Sequence, residues 1–350
     1  MIATSPLARQ QIRGRPAAAW QRELAQAICD PLELCRVLHL NPQLVAGADG
    51  AVRTFPLRVP RGFVRRMRPG DPADPLLRQV LALAVESREV PGYVADPLGE
   101  HAAVRAPGLL QKYYGRALLI TTAACAVHCR YCFRREFPYS DAQAEGPRWN
   151  AALEALAADS SIVELILSGG DPMSLSNARL AQLTGELRRI PHLKRLRLHT
   201  RTPIVLPERI DDELLDWFAS LPWPTVMVLH CNHANEIDAS VRAAMQLLRA
   251  RGVTLLNQSV LLAGINDSVP ALSALSESLW SAGILPYYLH LLDPVRGAAH
   301  FALPEAQAAA LMEELITRLP GYLVPRLVRE TAGAPSKTPV SVPGGIRFTA

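Results

Sequence analysis

Three of the chain's six cysteines stand within eight positions, in the run Cys125-Ala-Val-His-Cys129-Arg-Tyr-Cys132. A C-x3-C-x2-C loop can turn three thiolates toward one centre. Thiols this close together are poorly placed for an ordinary disulfide framework, and they point to metal or redox chemistry. Structural zinc wants four closed ligands, so zinc here would draw on His128 or Cys231 for the fourth. A cubane iron–sulfur cluster usually takes four cysteines, so three would leave one iron open to another ligand. The thiols alone leave both readings standing. Cys29 and Cys35 fall in an apolar helical stretch and read as small buried hydrophobes.

Other polar groups recur directly after short apolar runs. They are Ser168-Gly169-Gly170-Asp171-Pro172, His199-Thr200-Arg201-Thr202-Pro203, His230-Cys231-Asn232-His233 and Asn257-Gln258-Ser259. In βα barrels the chemistry gathers at the C-terminal ends of strands, and this repetition fits such a rim. Paired glycines allow a close backbone approach to a ligand.

The elements that must carry these groups change character along the chain. Residues 1–100 read as helical and loop-rich, with helical spacing over Ala17–Ile28, Pro31–Leu38 and Leu76–Val85. From about 117 onward, short apolar runs alternate with amphipathic stretches. The strand candidates are Leu118–Thr122, Val163–Leu167, Arg195–His199, Thr225–Leu229, Thr254–Gln258 and Tyr287–Leu291. Ser176 and Asp211 are placed to cap intervening helices, and Pro304 to open another. Six such units predict a parallel sheet, either an incomplete barrel or a doubly wound open sheet. A last strand candidate, Tyr322–Val328, leads into a tail rich in Gly, Pro, Ser and Thr, Gly333–Gly345.

Composition narrows the class. With 49% hydrophobic and 20% charged residues the chain can bury a core and is not globally disordered. The net charge of +5, with basic clusters at Arg61–Arg68 and Arg188–Arg197, suits a solvated surface and a pocket for anionic cofactors better than a nucleic-acid interface. No apolar run reaches the roughly 18 residues of a membrane span. Met1–Pro16 lacks the apolar stretch of a secretory signal, so a cytoplasmic protein with no membrane contact is expected.

The cysteine motif, with Tyr131 just before its last member, resembles the radical S-adenosylmethionine (SAM) pattern. More narrowly, Cys129–Phe137, Leu167–Pro172, Arg201–Leu206, His230–Ile237, Asn257–Leu262 and Pro286–Phe301 resemble the lysine 2,3-aminomutase family. With Asp96-Pro97-Leu98 through Arg116, the likeness spans about 95–348. It implies a partial (β/α)6 radical SAM barrel over 101–320, a helical N-terminal region over 1–100 and a C-terminal segment over 321–350 carrying the lysine for pyridoxal 5′-phosphate (PLP). It implies that Cys125, Cys129 and Cys132 ligate a [4Fe–4S] cluster whose open iron binds SAM. Ser168, Gly169, Gly170, Asp171, His230 and Gln258 would surround SAM and PLP. Lys337 would carry PLP and Arg116 would meet its phosphate. Arg134 would hold the substrate carboxylate, with Asp293 and Glu330 on the ε-ammonium of lysine. The family position at 330 is usually aspartate. Glutamate is longer, so the floor of this pocket differs.

The reaction so implied is isomerisation of (S)-α-lysine to β-lysine, in its R form, fed by a reducing electron donor. The chain ends at Ala350 with Cys231 its last cysteine, and it has Ser268 after the fifth strand. In this it resembles the compact branch that makes β-lysine for elongation factor P, where a separate ligase attaches the product. A catabolic or osmolyte-forming aminomutase is the alternative within the family, and a homo-oligomer is left open. A non-catalytic zinc or iron–sulfur module would need neither SAM nor PLP, and a transaminase-like PLP enzyme would leave the cysteines unexplained.

Overall fold

A computed structural model of the chain describes residues 18–138 and 148–342. The expectations for Met1–Pro16, and for 343–345 in the tail, lie outside the described residues.

Among the described residues ten strands form one sheet: β1 (Val104–Ala106), β2 (Leu109–Tyr113), β3 (Arg116–Thr122), β4 (Glu164–Gly169), β5 (Arg195–Thr200), β6 (Thr225–Leu229), β7 (Thr254–Val260), β8 (Leu285–His290), β9 (Arg326–Arg329) and β10 (Thr338–Pro339). Each strand pairs with its neighbours in chain order. The run from β3 to β9 is parallel throughout. β1 with β2, β2 with β3 and β9 with β10 are antiparallel. This order decides between the two expected architectures. A doubly wound sheet reverses its strand order at a switch point, whereas a barrel winds steadily in one direction. β1 and β10 are the two ends of the sheet, so the barrel is partial.

Side-chain alternation explains what each strand faces. In β5, Leu196 and Leu198 are buried in the outer core while Arg197 and His199 line the inner cavity. The outer core packs strand leucines against helices such as Asn177–Leu187, which contributes Leu180, Leu183 and Leu187. Each fully buried leucine is worth about 1.5–3 kcal/mol. Ser176 caps that helix on the amide of Arg179 at 3.3 Å, and Asp211 caps Asp212–Ser220 on that of Leu214 at 2.9 Å.

Several expectations are corrected. Leu76–Val85 is not one helix but two 3-10 turns, Leu77–Gln79 and Ala84–Ser87. Leu76, Leu77, Val80, Leu81 and Ala82 are all buried, so the segment is enclosed rather than laid on a surface as an amphipathic helix would be. The last expected strand begins only at Arg326, after a 3-10 turn over Gly321–Leu323. Pro325, which has no N–H for a ladder, precedes it. Cys35 is buried as expected, but Cys29 is exposed. The hairpin β1–β2 had no counterpart in the periodicity. It turns at Gly108, whose φ of 78° favours glycine. No helix among the described residues is long and apolar enough to cross a membrane.

Candidate active site

The cysteine loop leaves the C-terminal end of β3 and is clamped from both sides. Ala126 and Val127 pack into the core of the N-terminal region with Phe63 and Leu76, and Tyr131 packs with Leu262, Ile265 and Phe301. Beneath it, Glu86 accepts from Arg130 Nη2 at 2.6 Å and from Arg135 Nη2 at 2.9 Å. Arg130 is wholly buried, and its Nη1 also donates to the Phe55 carbonyl at 2.5 Å.

The glycines after β4 serve this loop. The amides of Gly170 and Asp171 donate to the carbonyls of Thr122 and Ala124 at 2.7 and 2.8 Å. A Cβ at Gly169 would lie 2.7 Å from the Thr122 oxygen, and one at Gly170 would lie 2.4 Å from the Ala124 oxygen. Both positions therefore face the chain's own backbone and let two strand ends close against each other. Asp171 ties in the next strand end. Its carboxylate accepts from Thr200 Oγ1 at 2.6 Å and from the amides of Arg201, Thr202 and Met173 at 2.8, 2.9 and 3.0 Å.

Above the strand ends lies a cavity of about 340 Å³, within the usual range for ligand sites. The three cysteines line it, as do Ser168, Gly169, Gly170, Asp171, Arg116, Arg134, His230, Gln258, Asp293, Glu330 and Lys337. The two candidate fourth zinc ligands do not. His128 Nδ1 lies 2.8 Å from the Pro56 carbonyl, and Cys231 is buried with its thiol toward the His233 carbonyl at 3.4 Å.

Charges alternate along the cavity. Arg134 binds Glu100 with both arms, Nε to Oε2 at 2.7 Å and Nη2 to Oε1 at 2.8 Å. Its Nη1 donates to Ser168 Oγ at 3.2 Å and to the Gly169 carbonyl at 3.3 Å. Lys112 Nζ bridges Glu100 at 3.1 Å and Glu330 at 3.0 Å. Lys337 Nζ donates to the other Glu330 oxygen at 2.6 Å. Burial opposes ionisation of Glu330, but Lys337 and Lys112 outweigh it and hold its carboxyl down at about 2. Asp293 goes the other way, to about 7, because it is buried and faces Glu330. Burial, reinforced by Arg201, Lys337 and Arg134, lowers His230 to about 3, and His199 and His290 are lowered mainly by burial, so all three imidazoles are neutral at pH 7.

Periodicity and motif reading did not single out Glu100, Lys112, Glu86 or Gln79. Glu100 precedes the unexpected hairpin and Lys112 lies in its second strand, and only their distant partners reveal them. Arg201 was legible as one letter of a motif without a role. Here its guanidinium touches the cysteine loop.

These features define a thiol-rimmed barrel whose centre suits iron–sulfur chemistry. Residues 114–201 match the family model described as a 4Fe-4S single cluster domain. Over the longer span, the chain is 50% identical to the L-lysine 2,3-aminomutase of Escherichia coli (strain K12), covering 92% of this chain and 94% of that protein. It is 47% identical to the Haemophilus influenzae protein of the same name, over 91% of this chain and 94% of that one. The Clostridium subterminale L-lysine 2,3-aminomutase is 33% identical over 92% of this chain and 77% of its own length. A solved radical SAM methyltransferase from Sphaerobacter thermophilus aligns with 63% of this chain and 68% of its own, at 17% identity and a TM-score of 0.45. The chain belongs to the L-lysine 2,3-aminomutase family. It is an isomerase with a 4Fe–4S domain, and the cofactors that the family resemblance implies are a [4Fe–4S] cluster, SAM and PLP.

The residues present fit these groups. Burial raises the Cys125 thiol, reinforced by Asp171, Cys132 and Cys129, and burial with Cys129 brings Cys132 up to about 11. Held as thiolates, Cys125 and Cys132 need a compensating metal cation, and Cys129 stands in the same loop on the same cavity. His199 Nε2 and His290 Nε2 line the same cavity, buried and without a protein partner, as sites for a polar ligand require. Lys337 and Arg116 stand on this cavity too, an amine and a guanidinium suited to a carbonyl and a phosphate.

Proposed function

We propose that this chain converts (S)-α-lysine to (R)-β-lysine, that the fourteen cavity residues named above carry the roles the family resemblance implies, and that the product serves elongation factor P through a separate ligase. The supporting observation is a single cavity that joins three thiols at one end to an amine and two acids, Lys337, Glu330 and Asp293, at the other.

When bound, the cofactors supply an adenosyl radical for hydrogen abstraction and an imine π-system for nitrogen migration. The chain's residues bind, orient and exclude water. Cys125, Cys129 and Cys132 hold the cluster, and Ser168 to Asp171 with His230 and Gln258 line the space beside it. Arg116 meets the PLP phosphate. Lys337 must release Glu330 to engage PLP, and that frees one carboxylate face for the ε-ammonium of the substrate. Asp293 supplies the second acid. Two carboxylates select a distal cation and disfavour a side chain that itself ends in a carboxylate, such as glutamate. Arg134 holds Glu100 through Nε and Nη2 and Ser168 and Gly169 through Nη1, so a substrate carboxylate must take the place of one of these contacts to engage it. Neutral His199, His230 and His290 can hydrogen-bond without adding positive charge to the pocket.

The reading carries a cytoplasmic setting and a reducing electron donor. It is tested by anaerobic reconstitution with iron, sulfide, PLP, SAM, reductant and lysine, with chiral analysis of the product. Formation of (R)-β-lysine is expected, and isomerisation of glutamate in place of lysine would overturn the roles of Asp293 and Glu330. The link to elongation factor P is tested by the mass of that factor in cells with and without the chain. Loss of the β-lysyl increment is expected, and an unchanged mass would favour the catabolic alternative.

A further inference from the structure

Arg201 follows β5 and is buried, only 6% exposed. Its guanidinium reaches three parts of the molecule. Nη1 donates to Cys129 Sγ at 2.8 Å and to Tyr131 Oη at 2.5 Å, both in the cysteine loop. Nη2 donates to Gln79 Oε1 of the N-terminal region at 2.7 Å and to Glu236 Oε2, after β6, at 2.9 Å. Glu236 is itself fixed, since its Oε1 accepts from the amides of Asn232 and His233 and from Gln79 Nε2 at 2.9, 3.1 and 3.1 Å. The cation therefore cannot swing away from the sulfur without breaking a buried network. Glu236 sits on the other arm of the fork, so the arm that touches Cys129 presents an N–H and positive charge to the thiolate.

We infer that Arg201 sets the reduction potential of the cluster through its hydrogen bond to Cys129, an inference that rests on the reading of Cys129 as a cluster ligand. Adding one electron from an external reductant makes the cluster and its thiolates more negative by one charge. A fixed N–H donor and cation beside a ligating sulfur stabilise that reduced state more than the oxidised one, so Arg201 raises the potential. Arg201 is a positioning residue in this role, since it acts on the cluster through Cys129.

The test is a dithionite redox titration of the reconstituted protein, without SAM or PLP, followed by electron paramagnetic resonance, with iron and sulfide measured on each sample. Arg201→Met is expected to keep its iron but to show about a tenfold lower ratio of reduced to oxidised cluster at the potential where the wild type is half reduced, a midpoint about 59 mV lower for one electron. Arg201→Lys, which keeps a cation and N–H donors, is expected to recover part of that loss. The sign separates this role from a structural one, because water entering a loosened site stabilises the reduced cluster and shifts the potential upward. An unchanged or raised midpoint in Arg201→Met overturns the inference, and so does loss of the cluster from both variants, which would make Arg201 a residue of the fold alone. Failure of the underlying reading looks different: Cys129→Ala would then retain a full cluster.

Discussion

The two ends of the cavity hold their charges in different ways. At the cysteine end the cations are arginines with several donors engaged. Arg130 and Arg135 close on Glu86, and Arg201 closes on Glu236, with side-chain exposures between 0% and 6%. At the other end the cations beside Glu330 are lysines. Lys112, Glu330 and Lys337 keep 20%, 14% and 18% of their side-chain surface. A guanidinium fork fixes direction as well as charge, whereas an ammonium is a point charge that can exchange one partner for another. The contrast fits the work at each end. In the proposed function the cysteine loop stays fixed, whereas Lys337 leaves Glu330 before a substrate ammonium arrives.

Substitutions at the two ends should therefore fail differently. Lys337→Ala should reduce aminomutase turnover at least about a thousandfold, measured as β-lysine formed, while leaving the unfolding midpoint of the cluster-loaded protein nearly unchanged. Glu86→Gln should do the reverse to the balance, costing about 3–5 kcal/mol of stability because two buried guanidinium groups lose their shared counter-charge. Denaturant unfolding of the loaded protein measures it, and a loss as small as that of Lys337→Ala would erase the difference between the ends.

Asp293 gives the lysine end a pH signature. Its carboxyl, raised to about 7, is neutral below that pH and ionised above it. A cationic side chain binds the ionised form, so the KM for lysine should fall as pH rises through about 7. Asp293→Asn should raise KM about tenfold at pH 8 and flatten this dependence. A wild-type KM that stays level across the range, or a variant that keeps the inflection, would assign the titration elsewhere. The smallest effect belongs to the surface. Arg189 and Glu186 form an exposed pair, and Arg189→Ala should shift stability by less than about 0.5 kcal/mol.

How legible each end was follows from how its groups are connected. The six parallel strands could be read because apolar runs and caps are local. Thr225–Leu229 was expected to the residue, and the other five agree to within about two residues at each end. Short-range spacing and family likeness singled out the cysteines and Lys337, and the structure brings all four to one cavity. Glu86, Glu100 and Lys112 were not, because their partners lie 44, 34 and 218 positions away and leave no mark on the nearby sequence. Leu76–Val85 was misread because burial on all sides hides the period that separates a helix from coiled turns. Cys29 was misread because an apolar neighbourhood in sequence did not become one in space.

The most direct measurement is the electron paramagnetic resonance spectrum of the anaerobically reconstituted, reduced protein before and after SAM is added. Three thiolates that leave one iron vacant predict a cubane signal in the wild type that SAM alters, and no cubane in Cys129→Ala. A preparation that takes up zinc in place of iron, or a cubane signal that SAM leaves untouched, would contradict it.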